Sequence, residues 1–363
     1  MTNHKNVLKV RQICFIILAF LPVTKLAALP GFLADVSGEA LWISALFAIM
    51  IDLVALFLSL YLSKKHPEAT LLEIVEKGAG TIAAKILFSI LSLFFLLKAA
   101  LPILEQKIYV EKTLYEVMPK PFIFYPLFIV AFYACLKGLK IFGRVADITV
   151  WITIISFIVA MFLSVPSGEY TNLLPLFKKP FYNLVNGAFR SVLWFSDGVY
   201  LLMFLGTFKN EKHYAKKMVF SYLGASFATV AFMAVFYAIY GSVSPSQTFA
   251  LPTMMVFSVN ATNAGRFDFI AIFLMLFSQV FAIILPLQIC TDCLKYIFNA
   301  RSRFYPSLLV NSALAMTALF FGNKFEIALS LGSRYLPFFF LFVSVAIPLV
   351  LTLIPKRREN EVA

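Results

Sequence analysis

The stretch at residues 12–33, QICFIILAFLPVTKLAALPGFL, is long enough to cross a bilayer, which needs about 20 apolar residues. Its middle contains Pro22, Thr24 and Lys25. Pro22 removes a backbone donor and its ring clashes one turn back, so we expect the helix to break there. Backbone groups freed in a membrane are stable only inside protein or beside a wet cavity. A break that carries a charge predicts a binding site, and a plain proline kink with Lys25 reaching towards an interface is the alternative.

The composition of the whole chain is that of a polytopic membrane protein. Of its 363 residues, 61% are hydrophobic and 13% are charged, whereas soluble proteins have about 45–50% apolar and about 25% charged residues. The net charge of +13 comes from short basic clusters between apolar runs, as the positive-inside rule produces. Because these clusters form no continuous basic face, the pattern excludes nucleic acid as a partner.

Apolar runs predict ten membrane spans in an all-α fold. The spans lie at about residues 12–33, 41–62, 83–104, 121–137, 145–165, 186–207, 217–240, 267–297, 304–321 and 335–355. No soluble domain fits between them, so residues 1–363 are predicted to form a single transmembrane domain. Turn residues between the seventh and eighth spans predict an outer loop with a short helix over the mouth of the protein.

The distribution of positive charge predicts the orientation in the membrane. Of the 31 Lys and Arg residues, 20 fall on the side of the two termini and 9 on the opposite side, the other two being Lys25 and Lys98. Cytoplasmic loops carry the excess of Lys and Arg. We therefore expect both termini to lie in the cytoplasm.

The ten spans divide into two sets of five, at about residues 10–165 and 186–355. An odd number of spans per set inverts the second set relative to the first. The first span of each set is the interrupted one, because Ser196, Asp197 and Gly198 lie near the middle of span six. Paired interruptions of this kind predict a transporter-type binding site between inverted repeats. This symmetry is inferred from topology, without a residue-level repeat.

Several stretches, in this order, give the chain a family resemblance. They are VRQI at residues 10–13 with the Leu29-Pro30 step, DVSGEALWIS at 35–44, HPEATLLEI at 66–74, KGLKIFGRVADI at 137–148, NLLPLF at 172–177 and RFD at 266–268. The chain resembles the B subunits of spore germinant receptors, which are endospore germination permeases of the amino acid–polyamine–organocation superfamily. The resemblance covers nearly the whole length. Lys25 and Asp197 depart from it, since relatives often have small or apolar residues in the first break.

The resemblance implies a ten-helix fold of two inverted five-helix repeats, the LeuT-like fold, with helices 1 and 6 broken. It also implies an amino acid or similar small germinant in a central site, partner subunits of the A and C types, and a place in the spore inner membrane. The departures at Lys25 and Asp197 leave a transporting relative as the alternative to a receptor subunit.

Lys25 and Asp197 are the main candidate site residues, because the two breaks are expected to face each other at mid-depth. They are predicted to form an ion pair or to bind the two ends of a zwitterionic ligand, with Lys25 as a tethered cation in place of a sodium ion; a purely structural ion pair is the alternative. Asp52 is a candidate proton carrier or the counter-ion of Lys25 or Lys98. The remaining candidates for ligand binding are Pro22, Thr24, Lys98, Trp194, Ser196, Gly198 and Gln279.

Other functional classes find little support in the sequence. The three histidines, His4, His66 and His213, fall in predicted cytoplasmic segments, and the Cys290–Cys293 pair lacks a second pair or a nearby histidine. Without clustered metal ligands or a phosphate-binding loop, we expect neither an enzyme nor a cofactor. A proton-coupled amino-acid transporter remains the alternative function, and a channel or membrane scaffold is disfavoured by the charged breaks.

Overall fold

The structure is a computed structural model that describes residues 8–109, 125–262 and 268–355, without the side chains of residues 259–262, 268–276 and 323. Within these ranges the chain is helical, and its one β-bridge joins Leu8 to Phe208. The first seven helices are α1 (Val10–Val23), α2 (Ala28–Ser37), α3 (Leu41–Lys65), α4 (Leu71–Tyr109), α5 (Pro126–Lys137), α6 (Leu139–Ser164) and α7 (Phe181–Ser191). The others are α8 (Val199–Met203), α9 (Tyr214–Tyr240), α10 (Ala250–Thr262), α11 (Asp268–Ile297), α12 (Phe304–Phe321), α13 (Phe325–Leu341) and, after a π-helical turn, α14 (Ile347–Thr352).

Over the described ranges, seven helical segments are long and apolar enough to cross a membrane, and two further apolar helices, Val10–Val23 and Pro126–Lys137, are shorter. The predicted spans one and six do not appear as single long helices because each is divided by a break. The predicted span four begins before the described part of α5. Many long apolar side chains remain exposed on the outer faces of these helices, as in a surface that contacts lipid.

The first predicted break lies directly after Pro22. Helix α1 ends at Val23 and α2 begins at Ala28, so residues 24–27 lie outside both helices. The main-chain N–H groups of Ala250 and Leu251, at the start of α10, donate to the carbonyl oxygens of Ala27 and Leu26, each at 3.0 Å. The start of α10 therefore satisfies carbonyl groups that the break leaves open, as a membrane interior requires.

The second predicted break separates α7 from α8. Residues 192–198 leave the helical path, and Ser196 has a φ of 57°. Gly198 is pressed against α3, where an added Cβ would lie 2.6 Å from the backbone nitrogen of Leu56. Close packing against α3 therefore requires glycine at this position. The second break thus lies directly against α3, which is a continuous helix.

The predicted outer loop between spans seven and eight is described as far as Thr262. It consists of a 3-10 segment, Gly241–Ser246, followed by α10. Gly31 of α2 approaches this loop so closely that an added Cβ would lie 2.4 Å from the carbonyl oxygen of Gln247. The loop thus contains a helix, α10, as expected, and packs on the first broken segment; its place over the mouth of the protein stays a prediction.

Candidate functional site

The ammonium group of Lys25 lies inside the protein between the two breaks. Its Nζ donates to Asp197 Oδ2 at 2.6 Å, to the carbonyl oxygen of Leu21 at 3.0 Å and to Thr24 Oγ1 at 3.3 Å. The ring of Phe195 lies 5.1 Å from the same atom. Lys25 is only 1% exposed. A carboxylate, a freed carbonyl and a hydroxyl thus surround one buried cation.

Lys98 of α4 reaches the second break from the other side. Its Nζ lies 3.0 Å from Asp197 Oδ1 and donates to the carbonyl oxygen of Trp194 at 2.8 Å and to that of Phe195. These carbonyls belong to the irregular segment, so Lys98 stabilises the break as well as contacting its carboxylate. Asp197 is therefore shared by two ammonium groups.

The side chain of Asp52, at the middle of α3, contacts the main chain of the second break. Its Oδ2 accepts from the N–H of Asp197 at 3.0 Å and its Oδ1 from the N–H of Gly198 at 2.9 Å. The hydroxyl of Tyr222 donates to Oδ2 at 2.7 Å. The direct counter-ion of both lysines is Asp197, while Asp52 satisfies backbone donors that precede α8.

We call Lys25, Lys98, Asp52 and Asp197 the charged quartet. All four side chains are buried, two lysines and two aspartates, and Asp197 contacts both ammonium groups. Buried charges are costly unless they are paired and hydrogen-bonded. The quartet is thus a neutral, closely bonded unit in which removal of one member would leave an uncompensated buried charge.

On one side of the quartet, Trp194 joins three elements. Its indole Nε1 donates to Glu105 Oε1 at 3.0 Å, and its ring packs on Phe32 of α2 with centroids 5.3 Å apart. The backbone N–H of Ala28 also faces the Glu105 carboxyl group. Both Trp194 and Glu105 are buried. We call this side, formed by α2, α7 and the end of α4, the Trp194 side.

On the other side of the quartet lies a small, partly open cavity. Its polar lining residues are Asp197, Tyr200 and Tyr222. Its apolar lining consists of Ile13, Ile16, Ile17, Phe20, Leu21, Leu56, Leu201, Phe204 and Leu285. Pockets for small ligands are mostly apolar with a few placed polar groups. The lining of this cavity, on what we call the cavity side, has the same composition.

The structure brings most of the sequence-predicted site residues together. Thr24, Lys25, Lys98, Asp52 and Asp197 are joined by the contacts above. Trp194 and Gly198 lie in or beside the second break, as does Ser196, whose hydroxyl donates to the carbonyl oxygen of Val192 at 3.0 Å. Pro22 closes the end of α1, and its carbonyl oxygen accepts from the N–H of Lys25 at 3.0 Å.

Gln279 is the predicted residue that the structure does not bring to the quartet. Its side chain is half-buried on α11 and does not line the cavity, which α11 reaches six residues later at Leu285. Six residues of helix span about 9 Å. A role for Gln279 in packing between helices is the simpler interpretation of this position.

Sequence reasoning missed three residues of the site: Glu105, Tyr200 and Tyr222. Glu105 lies one residue beyond the predicted end of span three, yet α4 continues to Tyr109 and keeps it buried. An acidic residue seven positions after Lys98 on the same helix was a usable signal. The two tyrosines are among 15 in the chain, and nothing in their sequence context distinguishes them.

A model of the spore germination protein family matches residues 7–324 of the chain. This match covers most of the length and includes both breaks and all four members of the charged quartet. A search of curated proteins gave no match.

Proposed function

The chain belongs to the spore germination protein family, a family of multi-pass membrane permeases, and from that premise we propose that it is a germinant-receptor B subunit. In this proposal a small amino-acid-like germinant binds at the charged quartet, between the two breaks. The A- and C-type subunits of the receptor are its proposed partners, and the spore inner membrane its location.

The observation that carries this proposal is the ion pair of Lys25 with Asp197 at 2.6 Å, formed where two interrupted segments meet. Interrupted membrane helices expose main-chain polar groups at the depth where transporter-type folds bind their substrates. A quartet of zero net charge favours a guest of zero net charge, because a net charge would remain uncompensated inside the protein. A zwitterionic amino acid meets this condition and offers one group for each sign.

Lys25 also supports the idea of a tethered cation. The oxygen atoms around its Nζ come from a carboxylate, a main-chain carbonyl and a hydroxyl. Hard oxygen ligands of this kind, with freed carbonyls from a broken helix, hold the sodium ion in related sodium-coupled folds. In the proposed mechanism the ammonium group takes that place, so that no external sodium ion is needed for ligand binding.

The proposed architecture is a LeuT-like arrangement of ten crossings, with α1 and α2 forming the first broken span and α7 and α8 the sixth. The antiparallel meeting of the two breaks supports it, since α2 contacts α7 whereas α1 and α8 both line the cavity. The excess of Lys and Arg on one side supports cytoplasmic termini. The cavity side then faces the cytoplasm and the Trp194 side faces outward.

Ligand-dependent thermal stabilisation of the purified full chain in nanodiscs tests the binding site. A ligand that binds only the folded state raises the free energy of unfolding by RT ln(1 + [L]/Kd), where [L] is the concentration of free ligand. A panel of amino acids is screened first on the wild type. We expect Lys25→Ala and Asp197→Asn to abolish the shift given by the best ligand.

The matched control is Lys107→Met, because Lys107 is also a buried lysine of the membrane region but donates to the carbonyl oxygen of Ala318 at 2.8 Å, away from the quartet. This variant should keep the ligand-dependent shift. Wild-type ligand affinity in folded Lys25→Ala and Asp197→Asn would refute the site assignment.

A proton-coupled amino-acid transporter is the second candidate, and the buried Asp52 carboxyl group beside Tyr222 favours it, since such a group can bind and release a proton. Uptake of labelled amino acid into liposomes driven by a pH gradient tests this function. If uptake by Asp52→Asn kept the pH dependence of the wild type, this result would argue against Asp52 as the proton carrier. Absence of uptake by a chain that binds the ligand favours the receptor.

A further inference from the structure

Tyr200 has a buried hydroxyl group without a hydrogen-bond partner in the part of the chain that the structure describes. Its ring is held on two sides, by Phe20 with centroids 4.8 Å apart and by Phe95 with centroids 5.1 Å apart. Buried hydroxyls are normally hydrogen-bonded. The ring of this cavity-lining residue is thus fixed by packing, while its hydroxyl has no hydrogen-bond partner among the described residues.

A second polar atom beside the same cavity is also incompletely satisfied. Asp197 lines the cavity, and its Oδ1 receives no directed hydrogen bond from the described residues although Lys98 Nζ lies 3.0 Å away. Lys98 Nζ donates to the main-chain carbonyls of Trp194 and Phe195. The carboxylate therefore keeps an acceptor position for a further N–H donor.

We propose that Tyr200 contacts the ligand and determines its specificity, by binding an amino head group together with Asp197 Oδ1. One N–H of the head group donates to the carboxylate oxygen and another to the Tyr200 hydroxyl oxygen. This inference rests on the proposed function, and it adds a residue that the sequence did not single out.

The remaining walls of the cavity define the rest of the ligand. Nine of its twelve lining residues are apolar, and five of these lie at helical spacing on one face of α1: Ile13, Ile16, Ile17, Phe20 and Leu21. Such a wall offers no partner to a charged or strongly polar side chain, whose burial there would be unfavourable. The ligand class is therefore one whose side chain is small and aliphatic.

Tyr200→Phe tests the role of the hydroxyl, because it removes one oxygen atom and keeps both ring contacts. Binding of the best ligand from the wild-type screen is measured by calorimetry and by thermal shift. We expect affinity to fall at least tenfold while the ligand-free melting temperature stays within a degree or rises. The N-acetylated form of the same ligand should not bind the wild type.

The matched control is Tyr214→Phe, since the Tyr214 hydroxyl already donates to Ser63 Oγ at 3.1 Å and lies outside the cavity. Its ligand affinity should equal that of the wild type. Equal affinity in Tyr200→Phe and the wild type would overturn the role of Tyr200 while leaving the proposed function intact. A best ligand with a charged side chain would overturn the ligand class, and a wild type that binds no amino acid would overturn both proposals.

Discussion

The Trp194 side and the cavity side of the charged quartet close the protein in different ways. On the Trp194 side, the indole N–H of Trp194 and the carboxyl group of Glu105 form a fully buried hydrogen bond. On the cavity side, the start of α1 is tied to α6 by an ion pair between Arg11 and Asp147 at 3.2 Å, in which the arginine side chain is 64% exposed. Both sides border the charged quartet.

This difference indicates how the two sides respond to disturbance. A directed hydrogen bond in an apolar interior is costly to break, because no water replaces the lost partner there. An exposed ion pair exchanges its partners for water at little cost. The Trp194 side should therefore open rarely and with a measurable barrier, whereas the mouth of the cavity should open readily.

The largest effect should follow from Asp197→Ala, because both sides depend on this carboxylate. The substitution leaves the ammonium groups of Lys25 and Lys98 without their shared counter-ion. Removal of one partner from a buried charge pair costs about 3–5 kcal/mol. We expect a large fall in melting temperature and in the yield of monodisperse protein in detergent.

A double variant separates the charge effect from loss of packing. Asp197→Asn combined with Lys98→Met removes one charge of each sign and should recover much of the lost melting temperature. If the double variant were as unstable as Asp197→Ala alone, charge balance would not explain the stability of the quartet.

A smaller effect is expected at Gly198, which stands between the two sides. An added Cβ would lie 2.6 Å from the Leu56 nitrogen and 2.9 Å from the Ala55 Cβ, so Gly198→Ala must push the second break away from α3. Overpacking of this kind costs about 1–3 kcal/mol. Gly224→Ala is the control, because its nearest neighbour would be Leu18 Cδ2 at 3.9 Å and alanine is favoured within a helix. Thermal unfolding should show opposite signs for the two variants.

The two breaks and the pairing of Lys25 with Asp197 follow from the sequence, because a proline, a glycine and isolated charges within long apolar runs are typical of interrupted membrane helices. The role of Asp52 does not follow, since it depends on the register of α3 against the second break. The sequence predicts that span three ends at about residue 104, whereas α4 continues to Tyr109 and Lys107 is buried. Contacts between distant segments set these details, and local patterns do not carry that information.

Trp194→Phe tests the barrier on the Trp194 side. The ring contact with Phe32 is kept in part, and the Glu105 oxygen loses its indole donor. An unsatisfied buried acceptor costs about 1–3 kcal/mol, and 1.4 kcal/mol corresponds to about a tenfold change in population. We expect about tenfold faster labelling of a cysteine introduced at Ser191, a buried position three residues before Trp194, by a membrane-impermeant maleimide.

A cysteine at Ile17, on the cavity wall, provides the comparison for this experiment. When the reagent has access to both sides of the membrane, the labelling rate of Ile17→Cys should be the same with and without Trp194→Phe. Equal acceleration at both reporter positions would mean that the variant loosens the whole protein, and no acceleration at Ser191→Cys would show that the Trp194–Glu105 bond does not limit opening.

The smallest effect should come from Arg11→Gln, at the mouth of the cavity. Asp147 keeps its hydrogen bond from Gln12 Nε2 at 3.0 Å, and the adjoining main-chain bond from the Leu8 N–H to the Thr207 carbonyl oxygen at 2.9 Å is unchanged. Exposed ion pairs contribute about 0.2–1 kcal/mol and are screened by salt. Thermal unfolding should therefore shift by a degree or two at low salt and less at high salt. A loss as large as that of Trp194→Phe would show that the two sides are held with equal strength, which would remove the asymmetry inferred from their burial.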